Sequence, residues 1–325
     1  MISVAICTHN GAAYIERQIQ SILNQTLAPA EIVLSDDASS DATVAIVQDL
    51  VEGHSSGVVL RVMQNPQPLG VTKNFEHAIL ATTGDLIALS DQDDVWHPER
   101  LERIAAEFES RPELTLLHGD ARLVGEAGEP LGGSLFDALE VSPWERERIS
   151  SGNAIDALIR RNLVTGATAV FRRSLLNRAI PFPASWVHDE WLAMIAASTG
   201  TVDFIDEPLV DYRQHGANQI GAAKLSFAGK VRRMLEPRRQ RNERLEANFT
   251  VLADRLAALE HVPDHVKQLS VDKRDHEIAR NAYPRARLRR FGPVARERRT
   301  GRYSLSAHGT ADVVRDLLQP ADRAG

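Results

Sequence analysis

The chain has 325 residues, 43% hydrophobic and 25% charged, the proportions of an ordinary globular protein with room for one large domain and a smaller appendage. Aromatic residues make up only 5%, which argues against an extended base-stacking surface; the single cysteine, Cys7, excludes an internal disulfide or a multi-cysteine metal site and fits a reducing, cytosolic compartment. The net charge of −6 conceals a split: Lys224 to the last residue holds 23 Lys+Arg against 13 Asp+Glu, a balance of +10, leaving 15 basic against 31 acidic residues, −16, before it.

An acidic body with a basic tail points to regions with different partners. For the tail, a solvated helical surface and a contact with an anionic membrane or another partner are both open. The first residues enter a strand pattern with no basic leader before it. No stretch approaches the ~20 apolar residues that span a bilayer. The expectation is a soluble protein, cytoplasmic or held peripherally on the inner face of the plasma membrane.

In chain order, Ile2–Cys7 is an apolar, β-branched run and predicts a strand. Ala13–Gln25 predicts a helix, with Tyr14, Ile15, Ile19, Ile22 and Leu23 on one stripe. Glu31–Ser35 predicts a second strand, Asp41–Val51 a helix that Asp41 could cap, and Val58–Met63 a third strand. Val71–Ala81 is helical, Asp85–Ser90 a strand, Pro98–Glu109 a helix with Pro98 suited to its first turn, and Leu114–His118 a strand. Gly125–Gly152 looks irregular, either an active-site flap or a plain surface loop. Thr168–Arg172 predicts a strand, Asp189–Ser198 a helix, and Thr201–Phe204 and Leu209–Tyr212 two short strands. Beyond Gly221 the pattern turns helical: Leu245, Phe249, Leu252, Leu256 and Leu259 recur at steps of 4, 3, 4 and 3. Gly221–Pro284 is read as a helical appendage and Arg285–Thr300, rich in Arg, as poorly ordered. Domain limits follow at 1–220 and 221–325.

Strands separated by helices of this length imply an α/β fold with a mostly parallel, Rossmann-like sheet flanked by helices. Ligands of such sheets sit beyond the carboxyl ends of the strands, and there the polar motifs fall. The strongest is Ser90-Asp91-Gln92-Asp93-Asp94-Val95-Trp96: three carboxylates in four positions repel one another unless a cation neutralises them. Oxygen ligands favour a hard ion, Mg²⁺ or Mn²⁺, held by one or two carboxylates and substrate phosphates. The plain alternative is an acidic turn before a helix. Asp36, in Asp36-Asp37-Ala38-Ser39-Ser40-Asp41, could accept from the imide N–H of a pyrimidine, or the segment could simply cap a helix. In Asn65–Phe75, Lys73 or helix amides could face phosphate, though a simple loop fits as well. In Trp186–Trp191, Asp189 or Glu190 could deprotonate a substrate hydroxyl, or merely favour a helix N-terminus. In Tyr212–Asn218, His215 could ligate a metal and Arg213 bind phosphate; a satisfied loop histidine is the bland reading.

Taken together and in order, these pieces resemble the family 2 glycosyltransferases with the GT-A fold. The resemblance spans about Ile2 to Gly221. Val4–Gly11 looks like the opening strand and nucleotide-contacting loop, Asp36–Ser39 the base-binding turn, and Asn65–Asn74 the Asn-Gly-Asn segment. Asp91-Gln92-Asp93 is similar to the metal-binding Asp-x-Asp, His188–Trp191 to the segment with the catalytic base, and Tyr212-Arg213-Gln214-His215 to the closing loop. The Asp-Gln-Asp-Asp-x-Trp form and the later Tyr-Arg-Gln-His-Gly look like the bacterial rhamnosyltransferase-like, cell-surface polysaccharide branch.

The resemblance implies an inverting transfer from a UDP- or dTDP-sugar, dTDP-rhamnose among the candidates, to a glycan or lipid-linked acceptor, with no nucleic-acid partner. Thr8, Asn10, Asp36 and Lys73 would contact the nucleoside, and Asp91 and Arg213 the donor. Asp93, with Asp91 and His215, would hold the Mn²⁺ or Mg²⁺. Asp189 would be the base, and Thr165-Gly166 would line the acceptor site. Two rival enzymes lack their loops: His9-Asn10-Gly11-Ala12-Ala13 has neither the Gly-rich basic loop of a sugar nucleotidyltransferase nor the G-x-G-x-x-G of a dehydrogenase. A non-catalytic nucleotide-sugar-binding protein is the remaining alternative.

Overall fold

The computed structural model describes residues 1–215, 238–305 and 309–320. The predicted start of the appendage at Gly221 and the Gly216-Ala217-Asn218 end of the late motif lie outside them. Two compact units form: Met1–Ala154 with residues 163–215, and residues 155–162 with the described residues from 238 onward.

The first unit is built on a seven-stranded sheet. Its strands are β1 (Ile2–Thr8), β2 (Glu31–Asp36), β3 (Val59–Gln64), β4 (Leu86–Ser90), β6 (Leu114–Gly119), β9 (Val170–Arg172) and β10 (Thr201–Ile205), in the order β10-β6-β9-β4-β1-β2-β3. Every residue of β1, β2 and β4 is buried, as expected of central strands covered on both faces. The edge strand β3 alternates in exposure instead. Helices α1 (Ile15–Leu23), α2 (Thr43–Glu52), α3 (Val71–Ala81) and α4 (Arg100–Ser110) lie between the strands. Ile15, Ile19, Ile22 and Leu23 on α1 are buried in the same core as Val4, Ile6, Ile32 and Leu34.

The sheet is parallel except at β9, which runs antiparallel to both β4 and β6. That strand is shorter than its apolar run, because Gly166–Thr168 form a 3₁₀ turn and only Val170–Arg172 pair. Ala42, not Asp41, is the N-cap residue of α2; Asp41 accepts from the amide of Thr43 at 3.0 Å and that of Ala12 at 3.1 Å, joining the start of α2 to the loop after β1.

A second sheet carries the consequence for function. It consists of β5 (Val95–Trp96), β7 (Arg122–Val124), β8 (Pro130–Ser134) and β11 (Val210–Arg213), in the order β5-β11-β7-β8. Gly125–Gly152 is therefore not irregular. It contains β8 and two short helices, Leu135–Ala138 and Pro143–Ser150, each closed by a capping box from Ser134–Asp137 and Ser142–Glu145. Those two motifs were legible in the sequence, but Gly and Pro obscured them.

In the second unit, helices Arg239–Ala258 and Asp264–Asn281 pack against each other, with Phe249, Leu252 and Leu256 buried as their spacing predicts. Arg285–Thr300 is ordered, not loose: a 3₁₀ turn at Arg287–Arg290 leads into helix Phe291–Arg299. Arg290 makes this possible. Fully buried, it donates to the carbonyls of Pro284, Arg285, Asp316 and Gln319. Nearby, Arg280 holds Asp316 through two bonds of 2.8 and 2.9 Å and Glu277 at 3.2 Å, while the Tyr303 hydroxyl donates to Asp316 at 2.7 Å. Lys273 completes the cluster at 2.9 Å from Glu277, and the cations hold the Glu277 carboxyl well below its ordinary range. Part of the tail's basic charge, Arg238, Lys273, Arg280 and Arg290, is thus internal.

Removing one partner of such a network strands the others in the interior. Arg280→Ala should destabilise the protein by roughly 3–5 kcal/mol. Urea unfolding of the full chain reads this directly, and a loss below about 1 kcal/mol, the range of an exposed pair, would show that the network is dispensable.

A candidate active site at the carboxyl edge of the sheet

Strand register sets the first half of the site. Thr8 ends β1 opposite Asp36 at the end of β2, and its hydroxyl donates to Asp36 Oδ1 at 2.8 Å. Ser39 adds its amide at 2.9 Å and its hydroxyl at 2.5 Å to the same carboxylate, closing the turn after β2. Ala38, within that turn, has φ +62°, a left-handed conformation costly for a residue with a Cβ. Asn10 is left-handed too, at φ +49°; its side-chain oxygen accepts the Ser40 amide at 2.9 Å and its amide donates to Ser39 Oγ at 2.8 Å. The loops after β1 and β2 are therefore one unit.

Asp37 extends it. Its carboxylate accepts the amides of Leu69 at 2.6 Å and Gly70 at 3.0 Å and the Asn65 side chain at 3.2 Å. Asn74, 2% exposed, links Asn65 at 2.9 Å to the hydroxyl and carbonyl of Ser35. The Asn65–Asn74 segment is thus pinned to the end of β2 by buried amides.

The Asp91–Asp94 turn forms the second half. β4 runs parallel to β1 with Ser90 opposite Ile6, so the turn emerges beside the β1 loop. Gln92 joins the two: its Oε1 accepts the His9 amide at 2.9 Å and its Nε2 donates to the His9 carbonyl at 3.2 Å. Gly11 lies beneath it: a Cβ there would stand 2.3 Å from the Gln92 Oε1 and would push the Gln92 amide aside.

On its other side the turn meets the late motif. β11 pairs antiparallel with β5, Val210 opposite Trp96 and Asp211 opposite Val95, which returns the chain to the aspartates. Arg213, 2% exposed, donates its amide to Asp94 Oδ1 at 3.1 Å and its Nε to the Asp93 carbonyl at 2.7 Å. Its Nη1 donates to the carbonyls of Gly125 and Glu126. Two residues on, His215 Nε2 lies 2.8 Å from Asp93 Oδ2, with its ring stacked on Tyr14 at 4.7 Å between centroids.

Asp189 supplies a further carboxylate, from the first turn of helix His188–Thr199. Its Oδ2 accepts the Gly166 amide at 2.9 Å and its Oδ1 the Glu190 amide at 2.6 Å. Burial, reinforced by the charges of Asp93 and Asp189, pushes the Asp91 carboxyl up to about 7. Burial and the charges of Asp93 and Asp91 hold Asp94 well above the ordinary carboxylate range, and its Oδ2 is buried with no partner. Beneath it Arg100 stacks on Trp96 at 3.7 Å, its own pKa lowered by burial to about 9.

The structure thus gathers Thr8, Asn10, Asp36, Asp91, Asp93, Asp189 and His215 along one edge of the sheet. Two cations read from the sequence as phosphate contacts have partners within the protein. Lys73 binds Glu76 at 2.5 Å and the Phe182 carbonyl at 2.8 Å, because α3 carries both groups past the 182 loop. Arg213 is buried against carbonyls, as above. Sequence reasoning passed over Gln92, Asp37 and Tyr14. The position of Gln92 between two aspartates was the one available signal; nothing local marks a tyrosine as a stacking partner for a histidine 201 residues later. Among the described residues, no group of three or more His, Cys, Asp and Glu side chains is placed to hold a metal ion. Asp93 and His215 nonetheless offer an oxygen and a nitrogen donor in direct contact.

The sequence profile of glycosyl transferase family 2 matches residues 3–178. The chain belongs to this family. Relatives agree. A glycosyltransferase of Nostoc sp. is 29% identical over 229 residues, 67% of this chain and 66% of that protein. A dTDP-rhamnosyl transferase of Shigella flexneri, RfbG, is 26% identical over 242 residues, 70% of this chain and 78% of that one. The chain spans 59–66% of the length of the first curated relatives it matches. Among solved structures, S. aureus TarS 1-349 in complex with UDP-GlcNAc superposes with a TM-score of 0.58 at 19% identity, covering 97% of this chain and 81% of TarS. Mannosyltransferase PcManGT from Pyrobaculum calidifontis, in complex with GDP-Man and Mn²⁺, gives 0.53 at 17% identity, covering 98% and 84%. The α/β architecture of this family 2 member is accordingly the GT-A fold.

The carboxylate cluster has a pH signature. A raised Asp91 pKa means the folded state binds a proton more tightly than the unfolded chain, so its contribution is intact below about pH 4 and lost as pH rises through about 7. In a chelator, Asp91→Asn should therefore raise the melting temperature at pH 8, the gain shrinking toward pH 4. Melts across that range check it; a gain independent of pH would mean that Asp91 is not ionising against its neighbours.

Proposed function

We propose that this family 2 member is an inverting glycosyltransferase acting on a UDP- or dTDP-sugar. The observation that carries the reading is the contact of His215 with Asp93, in the turn that Gln92 fastens to the Thr8–Asp36 loops. In this reading the nucleoside, diphosphate and reacting sugar lie side by side along that edge. The relatives support the donor class: RfbG is a dTDP-rhamnosyl transferase, and TarS was solved with UDP-GlcNAc. dTDP-rhamnose is the donor we favour, and a glycan or lipid-linked sugar of cell-surface polysaccharide the acceptor. No described helix is long and apolar enough to cross a membrane.

In this reading Asp36 and Thr8 fix the base and ribose with Asn10. Asp93, Asp91 and His215 are the residues that would hold Mn²⁺ or Mg²⁺, and their donor set fits: carboxylate oxygens and an imidazole nitrogen suit such an ion, and its charge would relieve the repulsion that raises Asp91. When bound, the ion supplies positive charge to the diphosphate. Asp189 accepts the proton of the attacking hydroxyl. The Gly166 amide holds its carboxylate in place, leaving lone pairs on both oxygens for that hydrogen bond. One displacement from the opposite face inverts the anomeric carbon.

Asp189→Asn should keep nucleotide affinity and lower transfer by about 10²–10⁴-fold, the range of a lost general base; undiminished turnover would remove Asp189 from that role. Asp93→Ala should abolish the enhancement of UDP or dTDP binding by Mn²⁺ in calorimetry. If affinity with and without Mn²⁺ matched that of the unaltered protein, Asp93 would not be a ligand.

A further inference from the structure

The exposed side of the second unit carries a patch that the transfer reading does not use. From residue 285 to 300 the only acidic residue is Glu297, and it is buried, accepting from His276 Nδ1 at 2.9 Å. Arg290, Val294 and Glu297, spaced by 4 and 3, form the inward face of this segment. Val294 packs there with Tyr283 and Tyr303. What remains outside is Arg287, Arg289, Arg296, Arg298 and Arg299, all exposed, and none forms an ion pair among the described residues. Among them stand two large apolar side chains, Leu288 at 84% exposure and Phe291 at 59%. They are three residues apart across a 3₁₀ turn, which sets them on one side.

We infer that the 287–299 segment docks on an anionic lipid surface, Leu288 and Phe291 entering the headgroup boundary and the arginines binding lipid phosphates. Charge complementarity selects this occupant. Five unpaired guanidinium groups repel a second copy of the same patch, whereas each Arg near an anionic leaflet is attracted to it. The exposed leucine and phenylalanine decide between a membrane and a soluble polyanion, because only the membrane gives an apolar side chain somewhere dry. The two signals together are what stable peripheral attachment requires. The inference concerns this surface alone and stands or falls separately from the transfer chemistry.

The test is co-sedimentation of the full-length protein with phosphatidylcholine vesicles, with and without phosphatidylglycerol, at low and high salt. The expected result is binding to the anionic vesicles only, weakened by salt. Arg287→Gln with Arg289→Gln, and separately Leu288→Ser with Phe291→Ser, should each lower the partition coefficient roughly tenfold or more. These positions are exposed, so thermal unfolding should be unchanged; UDP binding in calorimetry, read in parallel, reports on the active site independently. The inference is overturned if the unaltered protein stays in the supernatant or binds neutral vesicles equally. It is also overturned if the Leu288/Phe291 pair can be replaced without loss while RNA competes for the patch, which would make it a polyanion site, or if the patch mediates dimerisation in solution and leaves vesicles unbound.

Discussion

The site depends on a short antiparallel pairing, two residues of β5 against β11. That pairing returns a chain segment more than a hundred residues distant to the aspartate turn. Two side chains turn this proximity into a fixed geometry. Arg213 fills the space behind the turn and satisfies carbonyls on both sides of it, and His215 then has little choice but to face Asp93. An arginine suits the task because its planar fork can serve several carbonyls at once and remains charged when buried.

Those carboxylates are the other side of the balance. Burial raises the cost of ionising Asp91 and Asp94, and the neighbouring charges, Asp93 and Asp189 on Asp91 and Asp93 and Asp91 on Asp94, add to it. Such a concentration of like charge is tolerated where a function needs it and the surrounding structure is strong enough to impose it. Here the imposing structure is the fully buried set of central strands, together with the Gln92 clamp and the Asp37–Asn65–Asn74 network. These contacts tie the loops to one another, which lowers the ordering cost of binding.

The second unit handles charge in two opposite ways. Lys273, Arg280 and Arg290 are interior and partnered by carboxylates or carbonyls. Among the described residues, the arginines on the outer side of 287–299 have no such partners, and they surround exposed apolar residues. Composition alone merges these two populations into a single positive number. Burial separates them, and only the second is free to meet another surface.

The periodicity of Ile15, Ile19 and Ile22, the apolar runs of the central strands and the spacing of Phe249, Leu252 and Leu256 were sufficient to predict the α/β body and a helical C-terminal unit, because each depends on the repeat of a single element. The Asp91–Asp94 cluster was legible for a similar reason, since clustered like charges conflict locally whatever the fold. The antiparallel insertion of β9, the second sheet and the partners of Arg213 and Lys73 were not legible. Each depends on which residues distant in sequence end up adjacent, and a long flexible side chain carries no local record of what it will bond. Amino-acid order determined the elements and the chemical inventory of the site; the strand pairing of the folded chain decided which carboxylates, amides and imidazole share one space, because hydrogen-bond register acts between segments and not within them.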